Sequence, residues 1–189
     1  MTTKATERQR LLRGFHQLFN VQNSDTNVKV DIEEIKRYVQ NHNVDVNALF
    51  CHEKMEKWSP LFWACNRSRY DIVKYLINNG GAKVDAQDAS EQNVLHIAAN
   101  VGAYKIVEFL LRNDECKKYV NACDINNESP LHLCAEYGSE ETFDLLLKYG
   151  ANPSLKNKDN ETALDLLIDS SKTIAQKHNR QKKYFDVLI

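Results

Sequence analysis

No apolar run in this 189-residue chain approaches the ~20 residues that cross a bilayer, and no charged N-terminal stretch leads into an apolar one. Neither a membrane span nor a secretory leader is expected. A charge imbalance is missing too. The 25 Lys and Arg are set against 26 Asp and Glu, a formal net of −1, so nucleic acid or an anionic membrane surface finds no electrostatic handle. Apolar content of 42% is ordinary for a folded protein. The five cysteines, Cys51, Cys65, Cys116, Cys123 and Cys134, are odd in number and lack CxxC spacing. Cys51 and His52 are adjacent, but nothing supplies the remaining ligands of a tetrahedral zinc set at a usual spacing. No metal and no cofactor is expected, and unpaired thiols point to a reducing compartment, cytoplasm or nucleus. Catalytic signatures are missing as well: there is no GxxxxGK[ST], no GxGxxG and no recognisable nucleophile motif. Asp165 and Asp169 stand one helical turn apart, as in a solvated helix end. The chain is not expected to be an enzyme.

What the chain does have is self-similarity. Ser129-Pro130-Leu131-His132-Leu133-Cys134-Ala135 is matched upstream by Asn93-Val94-Leu95-His96-Ile97-Ala98-Ala99 and by Ser59-Pro60-Leu61-Phe62-Trp63-Ala64-Cys65. A degraded copy, Thr162-Ala163-Leu164-Asp165-Leu166-Leu167, follows. The leucines Leu61, Leu95, Leu131 and Leu164 recur at intervals of 34, 36 and 33 residues, the signature of stacked repeats rather than of one globular core. Some dozen residues after each of the first three comes a second apolar pattern: Ile72 to Ile77, Ile106 to Leu111, Phe143 to Leu147.

Local chemistry explains these starts. A serine hydroxyl accepts a bond from an orphan helical N–H, and a following proline sits where no N–H is missed and φ is already set. Ser59-Pro60 and Ser129-Pro130 are such starts, and Asn93 caps without the proline. Leu131 and Ala135 lie one turn apart, pairing a large with a small residue on one face. Helices apolar on one side bury that side only by stacking on neighbours.

The period, the TPLHxA-like string, Gly102 and Gly138 after the first helices, and Tyr149-Gly150-Ala151-Asn152-Pro153 after a second helix together resemble the ankyrin repeat, over roughly residues 30 to 170. The resemblance implies an all-α solenoid of antiparallel helix pairs with short projecting loops and helical caps. Residues 1–53 read as a capping helix and a divergent repeat, 54–87, 88–123 and 124–156 as three repeats, and 157–189 as a C-terminal capping repeat and terminal helix. Leu11, Leu12, Phe15, Leu18 and Phe19 form the apolar stripe of the first helix. Asp31 and Glu34 read as a capping box. Asn43 to Asn47 resembles a repeat-closing turn.

Departures from the family pattern are local. Phe62 stands where the family has histidine and Ser68 where it has glycine. The 36-residue step points to a bulge or longer loop near Asn113 to Lys118, and Asp165 replaces histidine in the last copy. His96 and His132 share one phase, so both read as structural braces rather than catalytic groups. Cys65 and Cys134 fall on alanine positions and read as small buried hydrophobes. The segment Ser171 to Ile189 carries Lys177, Arg180, Lys182 and Lys183 before an apolar end. It reads either as a cap that tucks back or as the edge of a longer protein, its basic run as a solvated helix face or an unspecific nuclear-localisation signal.

The family implication is a binding module whose concave face takes a protein or peptide partner; the balanced charge and the lack of long apolar runs add no nucleic acid and no membrane insertion, and a monomer is expected. By phase, the contact positions are Met55, Glu56, Trp58, Asn66 and Arg67, then Gln92, Asn100 and Val101, then Ile125, Asn126, Glu128, Glu136 and Tyr137, and finally Asp159. Trp, Tyr and Arg at such places commonly dominate binding energy. Trp58 has a second reading, packing on Phe62 or Trp63. Glu128, Glu136, Asp159 and Glu161 gather toward the C-terminal half. Two functional classes remain: an adaptor, scaffold or inhibitor, or a recruiting or regulatory segment of a larger enzyme or channel.

Overall fold

The computed structural model describes residues 4–18, 31–42, 44–52, 55–137, 139–169 and 182–184. They fall in two compact units, Met1–Lys83 and Val84–Ile189.

In the first unit, α1 (Lys4–Gln17) and α2 (Ile32–His42) pack through Phe15, which is fully buried and tilted against Tyr38 at 5.9 Å between ring centres. Of the expected stripe, Leu11, Leu12 and Leu18 are half-buried, while Phe19 lies outside the described residues. Asp31 opens α2 by accepting the Glu33 amide at 3.0 Å. The pair α3 (Pro60–Asn66) and α4 (Tyr70–Asn78) follows. Ser59 caps α3 as expected, its Oγ accepting the Phe62 amide at 3.4 Å with Pro60 in the first turn. Between α2 and α3 lies an element the sequence did not announce: β1 (Phe50–His52) pairs antiparallel with β2 (Met55–Trp58), Phe50 opposite Trp58. Among the described residues the architecture is all-α apart from this short hairpin and an isolated bridge between Lys156 and Thr162. Asn47 closes the unit internally, donating through Nδ2 to the Gly81 carbonyl at 3.1 Å and accepting the Lys83 amide through Oδ1 at 2.8 Å.

The second unit holds the pairs α5 (Val94–Asn100) with α6 (Tyr104–Leu111) and α8 (Pro130–Tyr137) with α9 (Glu140–Lys148), then α10 (Ala163–Asp169). First helix packs on first helix, α5 on α8 on α10, and second on second, α6 on α9. The core is therefore shared between copies: Leu95, Ala98 and Ala99 of α5, Leu131 and Cys134 of α8, and Ala163 and Leu167 of α10 are all buried. Asn121 repeats the Asn47 device two repeats further along the sequence, binding the Gly150 carbonyl at 3.1 Å and the Asn152 amide at 2.7 Å.

The bulge or longer loop expected near Asn113 to Lys118 is a longer connection that holds a one-turn helix, α7 (Asp114–Lys117), capped by Asn113 Oδ1 on the Glu115 amide at 2.9 Å. That turn buries Cys116, a thiol the sequence placed in a loop, and burial pushes its pKa up to about 11. Cys65 and Cys134 are buried as expected, and burial pushes Cys134 up to about 12. Gly138 lies outside the described residues, as does the run 170–181 with Lys177 and Arg180. Ser68 takes the left-handed conformation at φ 52°, where Gly102 has φ 63°.

Candidate functional site

Three loops of the second unit are built on one plan. Asp88, Asp124 and Asn157 each donate a backbone N–H to the carbonyl four residues on, at 3.0, 2.9 and 3.0 Å. The Oδ1 of each accepts the amides two and four residues on, from Ser90 and Gln92, Asn126 and Glu128, Asp159 and Glu161, at 2.8 to 3.0 Å. A side-chain oxygen thus replaces a turn's missing acceptors. The chain reverses at the third residue after the anchor, where Glu91, Asn127 and Asn160 have φ of 61°, 60° and 64°.

These loops are tied to one another. The Ile125 amide donates to the Ser90 carbonyl and the Lys158 amide to the Asn126 carbonyl, both at 3.0 Å, and Asn127 Nδ2 donates to the Lys156 carbonyl. The histidines supply the second tie. His96 Nδ1 accepts the Asn93 amide at 3.3 Å while Nε2 donates to the Glu128 carbonyl at 3.1 Å. His132 Nδ1 accepts from the Ser129 amide and hydroxyl, at 3.2 and 2.8 Å, and Nε2 donates to the Glu161 carbonyl at 3.3 Å. Each ring therefore braces the next loop, as their shared phase implies. Asp165 keeps the near half of this job, its Oδ2 accepting the Thr162 amide at 2.9 Å.

With the backbone fixed, exposure separates the expected contact residues. Ile125 is 44% exposed at a loop tip and Val101 37% exposed at the end of α5. Asn126, Glu136 and Asp159 are exposed, and Asn100 is half-buried. Gln92 is not free of the repeat stack: its Nε2 donates to Asp124 Oδ2 at 2.9 Å, joining two loops. Glu128 is half-buried, and its carboxyl sits above its ordinary value because of desolvation first and then the charges of Asp124, Glu136 and Asp159. The structure thus brings Glu136 and Asp159 each within electrostatic reach of Glu128. Tyr137 ends α8, and its side chain lies outside the described residues.

In the first unit, Met55 and Glu56 lie on β2, their side chains outside the description. Trp58 is half-buried and tilted on Phe62 at 6.3 Å, the packing alternative of the two readings, with Nε1 buried and unpartnered. The ring that replaces histidine here exchanges a brace for this aromatic contact. Asn66 ends α3, and exposed Arg67 lies 6.0 Å from the Trp63 ring centre. Among the described residues no group of three His, Cys, Asp or Glu is arranged for a metal ion, and no helix is long and apolar enough to cross a membrane.

Sequence reasoning passed over two things. One is the anchoring role of Asp88, Asp124 and Asn157, recoverable from their common offset before the capping residues. The other is the place where the C-terminal segment, read as a cap that tucks back or the edge of a longer protein, sets Lys183 and Tyr184, namely α9; it is recoverable from the likeness of Lys182 to Ile189 to Glu140 to Leu147.

Comparison with known proteins agrees with this geometry. A family model described as "Ankyrin repeats (3 copies)" matches residues 27–122, and "Ankyrin repeat" matches residues 126–158. NF-kappa-B inhibitor zeta of Mus musculus is 30% identical over 143 residues, 73% of this chain and 18% of that protein. Ankyrin repeat domain-containing protein 37 of Bos taurus is 35% identical over 102 residues, 54% of this chain and 62% of that protein. The E3 ubiquitin-protein ligase Ufd4 of Drosophila melanogaster is 32% identical over 102 residues, 53% of this chain and 4% of that protein. The chain thus spans less than two thirds of these relatives. Repeated capped helix pairs, loops tied copy to copy and matching family models lead to one conclusion: the chain belongs to the ankyrin-repeat family and is an all-α solenoid of that kind.

Proposed function

We propose that the chain is a non-catalytic protein-interaction module whose partner, a protein or peptide rather than nucleic acid, seats on the face made by the loop tips and first helices, the concave face of the family expectation. Ankyrin repeats generally mediate protein–protein interaction. The observation that carries the assignment is Ile125, an isoleucine 44% exposed on a loop whose backbone is locked on both sides. A rigid, exposed apolar residue beside the acidic group Glu128, Glu136 and Asp159 gives a partner a preorganised contact with a charged margin. In the first unit, Arg67 and Asn66 are the corresponding candidates, with Met55, Glu56 and Trp58 at the same phase.

The test is affinity capture with the intact chain, repeated with Ile125→Ala and Glu136→Lys variants of unchanged thermal midpoint. A partner retained by the parent and lost by both variants supports the face; equal retention removes it. A reducing compartment, cytoplasm or nucleus, fits the free thiols of Cys65, Cys116, Cys123 and Cys134, and we take the module to act as a monomer.

A second reading, a recruiting or regulatory segment of a larger enzyme or channel, is favoured by the Ufd4 match, in which a like segment makes up 4% of a ligase. The name NF-kappa-B inhibitor zeta favours instead the adaptor or inhibitor role.

A further inference from the structure

In the second unit, helix α9 carries two polar residues from far along the chain. Lys183 Nζ donates to Glu140 Oε1 at 2.8 Å and to Asp144 Oδ2 at 2.7 Å, and Tyr184 Oη donates to Asp144 Oδ1 at 2.6 Å. The phenol ring meets Phe143 edge-on, centres 5.2 Å apart, and the Lys183 ammonium lies 4.9 Å from the centre of the same ring. Tyr184 is 3% exposed. One carboxylate therefore accepts from both residues, a second shares the lysine, and an aromatic edge orients the ring.

The register gives this contact its meaning. Lys182 to Ile189 copies the pattern of Glu140 to Leu147, which puts Tyr184 at the phase of Thr142 and Ile106, each at most 1% exposed. At that phase Thr142 bonds neutral groups, its hydroxyl reaching the Gly102 carbonyl at 3.3 Å, whereas Tyr184 arrives with a hydroxyl on a carboxylate and a cation beside it. The burial of Lys183 opposes its charge, yet its bonds to Asp144 and Glu140 prevail and hold its pKa above the ordinary value. Lys183, Glu140 and Asp144 nonetheless keep between 38% and 45% of their side-chain surface in solvent. Such pairs are screened by salt and readily exchanged for water or for another cation. A seam held this way is exchangeable in a sense that an apolar one is not.

We infer that Glu140, Phe143 and Asp144 form a recognition site for a basic residue followed by an aromatic one, filled here in cis by Lys183 and Tyr184, and that a protein partner presenting a Lys-Tyr or Arg-Tyr pair docks on α9 by displacing them. Charge complementarity selects the occupant: two carboxylates one helical turn apart chelate an ammonium or guanidinium, and the Asp144 oxygen left over takes the phenol. The surface is separate from the loop-tip face. α9 begins after the end of α8 remote from the loops, about 12 Å along a helix of that length.

The test uses the intact 189-residue chain and a fluorophore-labelled peptide, NRQKKYFDVLI, copied from residues 179–189, read by anisotropy. The Lys183→Ala, Tyr184→Ala double variant, with its site vacated, is expected to bind at least 10-fold more tightly than the parent. Adding Glu140→Gln and Asp144→Asn returns it to the parent level, and raising salt weakens the gain. Should the double variant lose helix content, Lys183→Gln replaces it, with an expected gain of about threefold. Equal binding by parent and vacated chains, or equal binding of a peptide with Glu for the second lysine and Ala for tyrosine, overturns the assignment.

Discussion

His96 Nε2 donates to the carbonyl oxygen of Glu128 at 3.1 Å while the same ring's Nδ1 accepts the amide of Asn93, so the imidazole is read as neutral by two repeats at once. Burial, the leading cause, holds His96 and His132 below the ordinary 6.5. The unfolded chain then binds more protons than the folded one as pH falls through 6.5, and stability declines with acidification. It is fully present above that value. Glu128, raised by burial, acts with the opposite sign near its own range, so the window to use is pH 5.5 to 7.5. The thermal midpoint should fall across it by about 2–4 °C for each kcal/mol lost, and His132→Gln should flatten part of the slope.

Two non-glycine residues occupy left-handed positions at a cost. Ser68 at φ 52° and Glu91 at φ 61° hold conformations that side chains with a Cβ disfavour, whereas asparagine tolerates them and sits at the Glu91 phase in Asn127 and Asn160. Ser68→Gly and Glu91→Asn should each stabilise by roughly 0.5–1 kcal/mol, read as a higher urea midpoint at unchanged slope.

Asn121 substitutes for a peptide group, donating to the Gly150 carbonyl and accepting the Asn152 amide. Asn121→Ala removes both bonds and should cost roughly 1–2 kcal/mol despite the residue's exposed position. Asn121→Asp should recover only the accepting half. Urea unfolding of the three chains checks the order.

Stability and binding should separate at Leu131 and Ile125. Leu131 is fully buried, so Leu131→Ala should cost roughly 2–5 kcal/mol of stability. Ile125→Ala should change the thermal midpoint little and, if Ile125 anchors the partner, weaken binding by about 2 kcal/mol, near 30-fold. Trp58→Ala should do both in part, because its ring packs on Phe62. Calorimetry and titration on each variant decide.

Thiol reactivity should follow burial. Cys116 and Cys134, raised to about 11 and 12, should resist iodoacetamide at pH 8 in the folded chain, while half-buried Cys123 reacts sooner. Peptide mass spectrometry before and after denaturation reads the order.

What was legible in the sequence was what repeats. Ser59-Pro60, Asn93 and the shared phase of His96 and His132 gave the helix starts and the braces, because a stacked fold asks the same of each copy. What was hidden was what occurs once. α7 is four residues long, too short for a periodic signal, and the β1–β2 hairpin has three residues on one strand and four on the other. The contact set was legible only as phase: periodicity marks which positions escape stacking, but not that Gln92 would spend its amide on Asp124, nor that Trp58 would turn to Phe62.

The anchoring of the loops at Asp88, Asp124 and Asn157 divides each loop into a fixed frame and a replaceable insert. The frame is one Asx side chain and its amide acceptances; the insert is the three residues that follow, 89–91, 125–127 and 158–160, whose side chains take no part in the anchoring bonds. Inserts are thus interchangeable between frames so long as the last residue of each tolerates a left-handed backbone, and exchanging Ile125-Asn126-Asn127 with Lys158-Asp159-Asn160 would move a surface chemistry from one level to another with the architecture intact. Partner choice in such a chain can drift by cassette, without renegotiating the fold that displays it.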